Sequence, residues 1–280
     1  MAEAFIGISG WTFPPWRGTF YPDKLAQKKE LEYASRQLSA IEVNGTFYSL
    51  QRPTTFQTWY DQTPASFRFA VKGPQYITHI RRLKEVAEPL ANFLASGLFC
   101  LKEKLGPILW QFPPNMMLKD DRFEHFLKLL PKTPKAASAL AKKHGDKVEG
   151  RSVTKADPES QLRHAFEFRH ASFQHPDFLA MLREHNVAFV TAHAGEKSIY
   201  VDEATADFRY LRLHGFGADY VKGYPRKEIL ALAKKVKGLT AGKKASDVFL
   251  FFSNEAKIHS PTDAISLLHT LGIVKAKPPM

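Results

Sequence analysis

Charged side chains alternate with apolar ones in four short segments, and that spacing is where chemistry could reside. In Ala40-Ile41-Glu42-Val43-Asn44, Glu42 and Asn44 share one parity while Ile41 and Val43 share the other. In Phe67-Arg68-Phe69-Ala70-Val71-Lys72, Arg68 and Lys72 oppose the aromatic rings. Phe166-Glu167-Phe168-Arg169 sets Glu167 with Arg169, and Tyr210-Leu211-Arg212-Leu213-His214 sets Arg212 with His214. Successive side chains of a β-strand point to opposite faces. If the apolar set packs under helices, the charged set faces the inside of whatever these segments build. Charges withdrawn from water are costly unless paired and hydrogen-bonded, so such a cluster calls for a reason.

The residue types suggest what that reason is. Glu42 and Glu167 are candidate general acid and base, with His214 the other proton-transfer partner near neutral pH. Lys72, Arg169 and Arg212 form a natural clamp for an anion, because charge-assisted hydrogen bonds are the strong ones. Asn44, Gln111 and Asn254, with Ser9, add neutral hydrogen-bonding groups. Trp11 and Tyr48, together with Trp16 and Phe47, could wall the site for stacking. Arg68 lies deeper and is expected in a structural ion pair. The competing reading is a set of mutually satisfied pairs, such as Glu42–Lys72 and Glu167–Arg212, with no role in chemistry. His170, His193 and His214 sit at consecutive strand ends, where they could converge. A single divalent ion on Glu42, Glu167 or His214 is the alternative to a metal-free site, which is preferred because no two of the 11 histidines show tight ligand spacing beside carboxylates.

The elements that must position these groups recur in regular order. Apolar runs of strand length fall at residues 5–9, 40–44, 67–72, 107–112, 165–169, 187–192, 208–214 and 248–253. Helical patterns occupy 25–38, 54–61, 83–94, 122–130, 177–184, 227–236 and 263–271. This alternation predicts an α/β fold with a parallel sheet. Eight such repeats in about 250 residues favour a TIM-type (β/α) barrel of about eight parallel strands over an open sheet, with the substrate site at the C-terminal mouth. Two departures stand out. A Lys-rich insertion at 132–163, with a short helix at 136–144, separates strands four and five. After the sixth strand, 194–207 has no amphipathic pattern, which predicts a missing barrel helix. Residues 1–280 are expected to form one domain.

Composition narrows the classes. Of 280 residues, 44% are hydrophobic and 24% charged, as in globular rather than disordered chains. Cys100 is the sole cysteine, which excludes an intrachain disulfide and a CxxC motif; its apolar surroundings predict an inert buried thiol. There is no GxGxxG, GxxxxGK[ST] or HExxH, so dinucleotide, P-loop and zincin readings and any nucleotide cofactor lack support. The first residues show no signal-like leader, and no window approaches the ~20 apolar residues a membrane helix needs; a cytoplasmic protein is expected. The formal net charge of +12 would attract anions of any kind, nucleic acid included. Much of that excess lies at 132–155 and 234–244, expected to be solvated surface or flexible insertion.

At these same strand ends the sequence resembles the YecE-like proteins, domain of unknown function family 72. The resemblance runs along nearly the whole chain. It includes Gly10-Trp11, Phe20-Tyr21-Pro22, Ile41-Glu42-Val43-Asn44-Gly45-Thr46-Phe47-Tyr48, Ile77-Thr78-His79 and Leu109-Trp110-Gln111-Phe112-Pro113-Pro114. The second half adds Glu167-Phe168-Arg169-His170, Tyr210-Leu211-Arg212-Leu213-His214-Gly215 and Phe252-Ser253-Asn254-Glu255. The resemblance implies a TIM-type barrel and brings no reaction with it. Two positions depart from the family pattern: the sixth strand ends Ala192-His193 where the family has Ala-Asp, and Ser253 stands where it has Asn. Loss of an acid at His193 weakens any metal site there, and loss of an amide at Ser253 bears on ligand choice.

Three functional readings follow. The first is an enzyme acting on a small anionic substrate, such as a phosphate ester, sugar acid or carboxylate, by hydrolase- or lyase-type acid–base chemistry. The second is nucleic-acid binding or processing, by fold analogy with endonuclease IV-like barrels. The third is a non-catalytic ligand-binding protein that uses the same pocket.

Overall fold

The computed structural model describes residues 2–193, 199–215, 223–253 and 258–273. Its strands are β1 (Ala4–Ser9), β2 (Ala40–Val43), β3 (Arg68–Lys72), β4 (Leu105–Gln111), β5 (His164–Glu167), β6 (Val187–Phe189), β7 (Thr191–His193), β8 (Phe208–Leu213) and β9 (Asp247–Phe252). All pairings are parallel, in the order β6-β5-β4-β3-β2-β1-β9-β8-β7. The expected sixth strand is thus two short strands flanking Val190. Its first half bonds to β5 and its second to β8, and Val190 N still donates to Phe166 O at 2.9 Å. One extended run therefore bridges both ends of the sheet and brings it round into a nearly closed barrel, a TIM-type α/β fold.

Helices follow the strands where the sequence pattern places them, with shifted ends. Proline opens three of them, Pro53–Gln62, Pro134–Ala141 and Pro176–Glu184, where its fixed φ and missing N–H do no harm. The helix expected from residue 83 begins only at Ala87, because Arg82, Leu83 and Glu85 are held left-handed at φ 49°, 68° and 50°. The helix expected from residue 25 starts at Glu30, after a single 3-10 turn. Between β7 and β8, described residues 199–207 contain no helix, as the sequence predicts. The 132–163 insertion is not the loose segment that its lysines suggest. Thr133 Oγ1 caps its helix at Ala136 N, 3.2 Å away, and Ala137, Ala141 and Val148 are buried. Gly145 N bonds Asn92 Oδ1 at 2.8 Å and Val153 N bonds Ala95 O at 2.8 Å, docking the insertion on helix Ala87–Ala95. Its lysines point to solvent.

Two apolar shells enclose the wall of the barrel. Outside, Ile6, Ile41, Val43, Val71, Trp110 and Phe166 meet the helices. Inside, Ala40, Ala70, Ala165 and Ala188 leave room that Phe5, Phe208, Tyr210, Phe249 and Phe251 fill from the opposite wall. Beside them Gly7 faces Ala40 across the β1–β2 ladder, and a Cβ there would lie 1.8 Å from Ala40 O. That clash is with backbone and cannot be relieved by a rotamer. Gly7→Ala is expected to lose about 3 kcal/mol of stability. Gly238→Ala, in helix Arg226–Thr240 with nothing near its Cβ, is expected to gain about 0.5 kcal/mol. Urea denaturation of the two variants checks both signs.

Candidate active site at the barrel mouth

At the C-terminal ends of the strands the inward-facing charged side chains form one network. Glu42, on β2, is fully buried and every lone pair is taken. Oε1 accepts from Ser9 Oγ at 2.7 Å and Arg212 Nη2 at 2.9 Å; Oε2 accepts from Tyr210 OH at 2.7 Å and Arg212 Nε at 3.0 Å. The same guanidinium donates through Nη1 to Glu167 Oε2 on β5. The Ser9 hydroxyl is also in hydrogen-bond contact with that of Ser253. Burial opposes ionisation of Glu42, but Arg212, Lys72 and the Ser9 and Tyr210 hydroxyls outweigh it and hold the carboxyl below its usual range. Glu167 is likewise buried, and Arg212 and His214 keep it well below that range. Arg212 stays charged against its own burial because both carboxylates face it. Tyr210 is pushed upward, first by burial and then by Glu42, and so remains a donor.

The other oxygen of Glu167 looks toward the rim. His214 Nε2 lies 3.7 Å and Arg169 Nε 4.0 Å from Oε1, contacts of ion-pair length rather than hydrogen bonds. His214 Nδ1 lies 3.2 Å from Ser253 O, while its buried Nε2 has no hydrogen-bond partner among the described residues. Lys72 is 9% exposed, and its Nζ rests 4.1 Å from the centre of the Phe47 ring. Among the described residues its ammonium makes no ion pair, since the carboxylates nearby are occupied by Arg212. Burial lowers its pKa to about 8, with Arg212 adding to the effect and Glu42 and Glu167 opposing it. His79 stands edge-on to Phe47, with ring centres 5.1 Å apart. It is pushed downward by burial, then by Lys72, Arg169 and Arg82. These four form a basic lip. His79 sits on a π-helical turn, Tyr76–Ile80, and the left-handed residues Arg82, Leu83 and Glu85 follow it. Irregular backbone of this kind clusters at functional sites.

The structure therefore brings Glu42, Lys72, Glu167, Arg212 and His214 together, with Arg169 at the rim. Gln111 neighbours Glu167 in the β4–β5 ladder and is half-buried. Asn44, also half-buried, precedes the short helix Gly45–Tyr48. Other expectations are corrected. Trp11 packs edge-on against Trp59, with ring centres 5.3 Å apart, and lines a cleft with Thr12, Gln27 and Thr58 instead of walling the mouth. Trp16 is buried core, and Tyr48 is 72% exposed, leaving Phe47 as the ring against the charges. Among the described residues Arg68 forms no ion pair; it donates to Ala65 O and Phe67 O and lies over Phe5. The ion pair at that end of the barrel is Arg163–Asp247, at 2.7 Å. The three histidines do not converge. His170 caps its own turn at Ser172, and His193 faces the helix layer with Tyr224, Glu228 and Lys235. The His193 departure from the family pattern thus lies behind the wall, away from the mouth. Arg212, expected in the anion clamp, turns its fork to the two carboxylates. Asn254 lies outside the described residues. Burial raises the half-buried Cys100 thiol, in keeping with an inert side chain. No group of three His, Cys, Asp or Glu side chains among the described residues is arranged to hold a metal ion. Tyr210 was missed, although it shares the parity of Arg212.

A nearly closed barrel of parallel strands with helices outside it is a TIM-type α/β barrel. The family described as "Protein of unknown function DUF72" matches residues 5–280, and the chain belongs to it. Curated relatives are the UPF0759 protein YunF of Bacillus subtilis, 30% identical over 39% of this chain and 40% of that one. A second is the UPF0759 protein YecE of Escherichia coli, 30% identical over 45% and 44%. The chain spans less than half the length of these relatives in the matched stretches. A solved DUF72 family protein of Thermotoga maritima superposes with TM-score 0.75 at 23% identity, covering 96% of this chain and 99% of that one. Another, from Enterococcus faecalis, gives 0.73 at 16% identity over 99% and 98%. At such identities the likeness concerns the fold alone. No helix among the described residues is long and apolar enough to cross a membrane.

Two outcomes test the charge network. Arg212→Met should lose about 3–5 kcal/mol in urea denaturation at pH 7, because two buried carboxylates lose their counter-ion. Adding Glu42→Gln and Glu167→Gln to that background should recover part of the loss. For Lys72 the folded state releases its proton near pH 8 and the unfolded chain near 10.5. Folding therefore releases a proton between those values, and stability rises with pH there. Wild type should gain up to about 3 kcal/mol relative to Lys72→Met across that window, and be flat below it.

Proposed function

We propose that this protein is an enzyme acting on a small anionic substrate, bearing phosphate or carboxylate, bound at the barrel mouth. The observation that carries the reading is the charge balance there. Arg212 bonds both buried carboxylates, so that Lys72 makes no ion pair among the described residues and Arg169 reaches Glu167 only at 4.0 Å. Two carboxylates thus stand against three full cations, and an anion completes the set. Lys72 and Arg169 would hold that anion, with Asn44 and Gln111 as neutral donors. His214 would transfer the proton, its imidazole oriented by Glu167 Oε1 on one side and Ser253 O on the other. Glu42, with all its lone pairs engaged, serves to fix Arg212 and not to exchange protons.

A thermal-shift panel of inorganic phosphate, phosphorylated sugars, sugar acids, nucleotides and short oligonucleotides tests this. A ligand at 100 times its dissociation constant adds about 2.7 kcal/mol. A small anion should raise the melting temperature of wild type, and Arg169→Met and Lys72→Met should abolish the rise while Trp11→Ala keeps it. Stabilisation by oligonucleotides alone, falling steeply with salt, would replace the reading with nucleic-acid binding through the basic surface. Binding without turnover of any bound compound would make the protein a ligand-binding one.

A further inference from the structure

We propose that the Lys72 ε-amino group is a covalent nucleophile, forming a Schiff base with the aldehyde or ketone carbon of the substrate. This rests on the reading above and narrows it to anionic carbonyl compounds. The first support is placement: Lys72 ends β3 on the inward parity, at the mouth, where a bound substrate would lie. The second is its lack of partners. A buried lysine kept only for charge balance would pair with a carboxylate, and two are at hand. Both are instead engaged by Arg212, and Glu42 also by Ser9 and Tyr210. Nζ is left against the face of Phe47, a surface that tolerates a cation and accepts no hydrogen bond in the plane of attack. Thr46 Oγ1 grips the Lys72 carbonyl at 2.7 Å and fixes the strand end from which the side chain reaches.

The electrostatics agree with that geometry. The groups around Nζ are Arg212 and Arg169, which favour the neutral amine, and Glu42 and Glu167, which oppose it; burial tips the balance. A desolvated lysine beside another cation is the usual way to prepare an amine for carbonyl attack. In the step itself the Nζ lone pair bonds to the carbonyl carbon, and the carbonyl oxygen becomes the hydroxyl of a carbinolamine. One proton, delivered from solvent through His214, lets that hydroxyl leave as water, and the C=N bond forms as a protonated iminium. No oxidant or reductant is required. Arg169 would hold the anionic group during the exchange.

The test is reductive trapping. The protein is mixed with pyridoxal 5′-phosphate, pyruvate or the uncharged glycolaldehyde, each with sodium cyanoborohydride at pH 7, and the adducts are mapped by peptide mass spectrometry. Lys72 should be labelled at least about tenfold faster than exposed lysines such as Lys143, as expected of a desolvated amine beside other cations. Lys72→Arg, with unchanged circular dichroism, should lose that adduct, and Arg169→Met should slow trapping of the two anionic probes but not of glycolaldehyde. Adducts confined to exposed lysines, with inorganic phosphate still raising the melting temperature, would overturn the nucleophile and leave the anion site standing. Trapping of Lys72 by glycolaldehyde with no anion-dependent effect would sustain the nucleophile and overturn the anion site.

Discussion

The site depends on one guanidinium that satisfies two buried carboxylates from different strands. Arg212 reaches from β8 to Glu42 on β2 and Glu167 on β5, so a single side chain ties together three walls of the barrel. A planar fork with several fixed donors can do this, whereas an ammonium could serve only as a point charge. The surrounding arrangement follows from it. Glu42 gives its remaining lone pairs to Ser9 and Tyr210, while Glu167 keeps one oxygen turned toward His214 and Arg169. Lys72, excluded from both carboxylates, is pushed onto Phe47.

What lies beneath the network sets its strength. Between the mouth and the Arg163–Asp247 pair at the far end, the interior is an apolar plug of alanines and aromatic rings. Against such an apolar floor each electrostatic contact is worth more than at the surface. Of the basic lip, His79 and Arg82 are carried by the irregular backbone after β3. Arg82 is anchored through Asn115, at 3.0 Å, and its carbonyl accepts from Arg122 at 3.1 Å. The lip is therefore pinned to the next loop in the ring.

Much of this was legible in the sequence because parity is local. Alternation alone set Glu42, Lys72, Glu167, Arg212 and His214 on the inner face, and strand–helix recurrence gave the barrel. The same rule would have placed His193 with Val187 and Phe189 on the helix side, and Tyr210 with Arg212; it was not carried to those residues. Pairing was less legible. Lys72 could have bonded Glu42, and only the stagger of β2, β5 and β8 gives Arg212 both partners. Trp11 lies in a loop, where no periodicity fixes direction. The late start at Ala87 reflects left-handed residues that no glycine announces. The docking of the insertion depends on small buried alanines that the neighbouring lysines mask.

The ladder order carries one more consequence. Neighbouring strands around most of the ring are also neighbours along the chain, so their contacts close short loops and form early. The β1–β9 pairing is different, because it joins positions as far apart as Ser9 and Ser253, 244 residues distant in sequence. Loop-closure entropy makes such a contact slow to form. Ser9, which orients Glu42, stands on that joint. The complete polar centre therefore includes a contact between the first and the last strand, made where Ser9 meets Ser253.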